Sequence, residues 1–133
     1  MSVKPFTIGG VQYNAAMASA VDQDRLMSLL SGAVLERFAT AAQAGIEVDD
    51  QVLCSMFMSM PQTVKAQVAQ MLMARVFLNG TERAVTVADF SGKMVQYNQL
   101  LAGLLRWNLS DFFDWLPSGA KDARQDGVGS VAQ

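Results

Sequence analysis

Histidine is absent from this chain of 133 residues, and cysteine occurs once, at Cys54. Histidine is the side chain whose unperturbed pKa suits proton transfer near neutrality, and a lone thiol builds neither an internal disulfide nor a cysteine-rich metal site. The commonest routes to acid–base and metal chemistry are therefore closed. No catalytic, metal-binding or cofactor-binding residue is expected. A single cysteine among apolar residues also fits a reducing compartment. Charge is sparse and balanced: ten Lys and Arg stand against twelve Asp and Glu, without a block of one sign that could neutralise phosphates. Nucleic acid is not an expected partner. Long apolar runs are missing too. Val52 to Met60 is short, and Ala66 to Leu78 carries Arg75 and glutamines, well under the ~20 apolar residues that cross a bilayer, so no membrane span is expected. The opening MSVKPFTIGG lacks the apolar core and cleavage site of a signal peptide.

Nucleotide motifs of the GxxxxGK[ST] and dinucleotide types are absent, as is the GxSxG elbow. Paired carboxylates do occur: Asp22 with Asp24, Glu47 with Asp49 and Asp50, Asp111 with Asp114. Most fall at helix starts, where capping and the helix dipole account for them.

Apolar residues make up 51% of the chain, including nine methionines. That composition suits one globular domain, expected over residues 1–116, with 117–133 as a flexible tail. The expected fold is mainly α: a compact bundle of four to five helices, preceded by a small β-hairpin over about 5–14. Gly9-Gly10 between Phe6–Ile8 and Val11–Tyr13 fits a tight turn. A first helix runs from Ser19 to Gly45, with Leu26, Leu29, Leu30, Ala33, Val34, Phe38 and Ala41 at helical spacing. Asp49 or Asp50 caps a second helix ending near Met58. A third extends from Pro61 to Leu78, its last two turns apolar all round. Arg83 to Val87 is an extended connector. A fourth helix starts near Asp89 with the stripe Phe90, Met94, Tyr97, Leu101, Leu104 and Leu105, and a short helical turn covers Asp111 to Leu116. The tail SGAKDARQDGVGSVAQ has too few apolar residues to offset the entropy of ordering.

Two clusters could carry function. Met56, Met60, Met71 and Met73, with Phe77, are either core filler or an adaptable groove for apolar helices of a partner, because methionine is flexible and polarizable. Trp107, Phe112, Phe113 and Trp115 either clamp the last helix to the core or anchor self-association, together with Phe6, Ile8, Val11 and Tyr13 of the hairpin.

The hairpin PFTIGGVQY, the helices that follow, the segment DFSGKMVQYNQLLAGLLRWNLSDFFDWL and the loose tail together resemble the tail assembly chaperones of long-tailed bacteriophages. The sharpest part is a late helix running into Asn108, Asp111, Phe112 and Phe113. The resemblance implies a non-enzymatic homo-oligomer in the cytoplasm of the infected bacterial host. There it would coat helices of the tape measure protein and keep them soluble until the tail tube polymerises. In some members a frameshifted extension recruits the tube protein; here it would join after Pro117. Two other classes compete: a permanent structural subunit of a phage tail or particle, and a small enzyme using carboxylates alone.

Overall fold

A computed structural model describes residues 3–30 and 33–116. The tail expected at 117–133 lies outside the described residues. The architecture is mostly helical with one small antiparallel sheet, six α-helices standing among the described residues.

Strands β1 (Val3–Ile8) and β2 (Val11–Ala16) form the hairpin, with Ile8 paired to Val11 around the turn. Gly9 and Gly10 take φ of 58° and 81°, the double positive φ that a primed two-residue turn demands. A Cβ on Gly9 would come within 2.6 Å of the end of the flexible Gln96 side chain, which lies over the turn and can swing aside, so the positive φ is the firmer demand for glycine. Ladder bonds alternate along an antiparallel pair. Counting back from the Ile8–Val11 closure puts Pro5, opposite Asn14, in a non-bonded pair whose missing N–H falls on the open edge of β1. That edge is a poor template for another strand.

The hairpin does not stand alone. A third strand, β3 (Val76–Leu78), pairs antiparallel with β2, Tyr13 opposite Leu78 and Ala15 opposite Val76, giving the order β1-β2-β3. This corrects the expected third helix, which ends at Met73 rather than Leu78. The β-prone run Val-Phe-Leu finds an open strand edge to pair with, and that tertiary pairing overrides a helix-like apolar pattern. Beyond β3, Phe77 bridges to Ala84.

The first expected helix is also two. Helix α1 (Ala20–Leu29) is capped by Ser19, whose Oγ accepts the Asp22 N–H at 3.2 Å, and α2 (Ala33–Gln43) follows Ser31-Gly32, a pair of poor helix formers. At the end of α2, Gly45 has φ of 82°. The amides of Gly45 and Ile46 close back on the carbonyls of Ala42 and Ala41, a Schellman stop. Asp49 caps α3 (Asp50–Ser59) through Val52 N–H at 3.0 Å, and α4 (Gln62–Met73) starts after Pro61. The expected fourth helix is preceded by a separate 3-10 turn, Val87–Phe90, closed by a Thr86–Asp89 capping box, and α5 (Met94–Asn108) begins after it. Residues 110–116 form α6.

Helix α5 is the axis of the core. Leu100, Leu101, Leu104 and Leu105 are fully buried, packed with Leu53 and Phe57 of α3, Val68 and Leu72 of α4, Leu26 of α1 and Phe90. The sheet lies on its outer side: Phe6 stacks edge-on against Trp107 at 5.8 Å and covers Gly103, where a Cβ would stand 3.2 Å from the ring. Asn108 ties the two layers. Its Oδ1 accepts the Ala18 N–H at 2.7 Å and its Nδ2 donates to the Leu104 carbonyl at 2.9 Å, so a buried amide is satisfied at both ends.

Candidate functional site

No group of histidine, cysteine, aspartate and glutamate among the described residues could hold a metal ion. Several of the acidic residues have structural duties. Asp49 caps α3, and Asp111 accepts the Phe112 N–H. Asp89 holds the Thr86 N–H and pairs with Arg83 at 2.8 Å, contacts that keep its carboxyl below the usual range. Cys54 is buried, and burial pushes its thiol up, which disfavours the reactive thiolate.

The surface instead offers grooves. One, of about 620 Å³, runs between α4, the segment 84–87 and the start of α5. Its floor and near wall come from Gln62, Lys65, Ala66, Ala69, Gln70 and Met73, which recur at steps of three and four and so form one face of α4. At 1.5 Å per residue that face is roughly 16 Å long, about three helical turns. Ala84, Val85, Val87, Met94 and Tyr97 form the opposite wall. Small alanines let another backbone approach closely, while Met73, Met94 and Val87 supply soft apolar contact. Val87 and Met94 are about half exposed, at 52% and 48%.

Lys65 stands in the near wall. Its Nζ donates to Asn98 Oδ1 at 2.6 Å and lies 5.8 Å from the centre of the Tyr97 ring, while Asn98 Nδ2 donates to the Met94 carbonyl. Burial lowers the pKa of the ammonium and raises that of the neighbouring Tyr97 phenol, since both charged forms lose water there.

Of the methionine cluster, only Met73 lines this groove. Met56 and Met71 are half-buried against the core, Met60 at the end of α3 is buried, and Phe77 sits half-buried on β3. Met60 is therefore core, as are Tyr13 and Phe113 of the second cluster. Phe6, Ile8, Val11, Trp107 and Phe112 also pack on the core, half-buried. Trp115 alone stands out at 60% exposure, beside a second groove of about 610 Å³ lined by Asp24, Met27, Asp111 and Phe112. A third groove, of about 590 Å³, places Met58 and Val95 beside the hairpin turn. Sequence reasoning misses Lys65, Val87 and Met94; the available signal was the recurrence of Ala66, Ala69 and Met73 on one helical face. No helix among the described residues is long and apolar enough to cross a membrane. Protein-family models, curated proteins and solved structures offer no match to this chain, so the groove's role has to be read from its own residues.

Proposed function

We propose that the protein is a non-enzymatic assembly chaperone that covers apolar helices of a client, in the manner of phage tail assembly chaperones acting on the tape measure protein in the host cytoplasm. The observation that carries this reading is the open groove along α4: three turns long, alanine-floored and edged by exposed Met94 and Val87 and half-buried Met73. Its dimensions suit one helix, and its flexible side chains suit helices of varied sequence. Modest affinity at each groove, repeated along a long client by many copies, would protect the client and still permit its displacement.

The decisive experiment co-expresses the chain with a helical tape measure fragment. Met94→Lys with Ala66→Glu, both at exposed positions of the groove, is expected to leave the chaperone folded by circular dichroism and to abolish solubilisation of the fragment. Undiminished solubilisation by that folded variant would remove the groove from the reading. A permanent structural subunit of a tail is the second reading, favoured by Trp115, whose exposure suits an interface filled for good. Exchange of labelled copies on dilution supports the chaperone, and a closed assembly that never exchanges supports the subunit.

A further inference from the structure

Lys65 is the single charged side chain lining the α4 groove, and no carboxylate lines it. From Val52 to Thr81 the chain contains no Asp or Glu. The ion pairs Arg83–Asp89 and Arg106–Asp50 leave Lys65 out. An ammonium carries three N–H donors. One goes to Asn98 Oδ1, and the Tyr97 ring takes up part of the charge, which leaves two donors for a ligand. An apolar occupant laid over Lys65 would strip more water from an unpaired cation, a cost that only an anion at the same place offsets.

Resting on the groove's reading as a helix-binding site, we infer that its occupant is an amphipathic partner helix bearing an Asp or Glu on one flank of its apolar stripe. Lys65 donates to that carboxylate. Lys65 lies one turn from the Gln62 end of the groove, so the acid sits toward that end. The apolar residues of the partner then lie over Ala66, Ala69 and Met73. A helix with lysine at the same position meets like charge and is rejected, which gives the groove a rule of choice that soft apolar contact alone lacks.

The test titrates the full chain with synthetic amphipathic helices of leucine, alanine and glutamine, identical except for Glu, Gln or Lys at the flanking position. The Glu peptide is expected to bind about tenfold tighter than the Gln peptide, the worth of one charge-assisted hydrogen bond. The Lys peptide is expected to bind weakest, and the differences shrink at high salt. Lys65→Gln, which keeps an N–H donor for Asn98, should erase the Glu preference and leave the Gln peptide's affinity in place. If that variant does not fold, the three peptides on the native chain at low and high salt still decide. Equal affinity of the Glu and Gln peptides overturns the acid rule but spares the groove. Binding by none of the peptides overturns the groove as well. Peptides that release single copies from an oligomer, without charge preference, would show a second copy as the occupant and overturn the inference.

Discussion

The two halves of α5 differ in composition and in surroundings: the start, Met94 to Gln99, mixes apolar residues with three amides, and Leu100 to Leu105 is apolar throughout apart from Gly103. From Leu100 onward the helix is enclosed, with the hairpin on one side and α3 on another, and even its polar Asn108 is buried with both ends hydrogen-bonded. At its start, Met94 and Val95 remain 48% and 56% exposed. Hydropathy alone does not account for the exposure of Met94 and Val95, which are as apolar as residues buried further along; what packs against them does. The enclosed half holds the fold together, and the open half leaves apolar surface free for another molecule. A protein that needed only stability would gain by covering Met94, since burying such a side chain contributes about 1.5–3 kcal/mol.

This contrast breaks most directly by truncating one residue from each half. Leu104→Ala removes a fully buried side chain and is expected to cost about 3 kcal/mol in urea-induced unfolding. Met94→Ala is expected to stay within about 0.5 kcal/mol. Comparable losses would mean that the groove is closed in solution. A smaller effect sharpens the same contrast. Asn108→Ala leaves the Ala18 amide without its partner and is expected to cost about 2 kcal/mol. Amide hydrogen exchange should locate the damage at the junction of β2 and α1, with the α4 groove unaffected.

Local signals in the sequence were enough for much of this architecture. Gly9-Gly10 specifies its turn through positive φ at both positions, Ser19 and Asp49 cap their helices as their chemistry requires, and Gly45 stops α2. The stripe Tyr97, Leu101, Leu104 and Leu105 is buried as its spacing implies. Leu100 and Ala102 lie off that stripe and are buried too, because α5 is packed on several sides. Strand β3 was illegible for a different reason: its partner is a hairpin more than sixty residues earlier, and nothing in Val-Phe-Leu distinguishes an added turn of α4 from a strand awaiting an edge. The break between α1 and α2 was missed because the apolar period continues across Ser31-Gly32. Met94 keeps phase with Tyr97 and Leu101 on the apolar stripe, and spacing alone does not tell its exposure from their burial. The groove depends on residues 62–74 facing residues 84–97, and no local pattern encodes that juxtaposition.

The smallest effect concerns the charge in the open half. The Lys65 ammonium is displaced below its ordinary value of 10.5, so between the folded and unfolded values the unfolded chain binds more protons. Stability contributed by this group therefore rises as pH climbs through that window. Tyr13 and Tyr97 act in the opposite sense. Burial raises both phenols above 10.0, so their contribution is fully present below that value and is lost as pH rises through the folded values. The two trends oppose each other in the alkaline range. Lys65→Gln deletes the rising one, and its melting temperature is expected to fall away from the native chain's as pH is raised from neutral to strongly alkaline. Parallel curves for the two proteins would mean that Lys65 is as well hydrated as a surface lysine, and the groove would then have no desolvated cation to offer a partner's carboxylate.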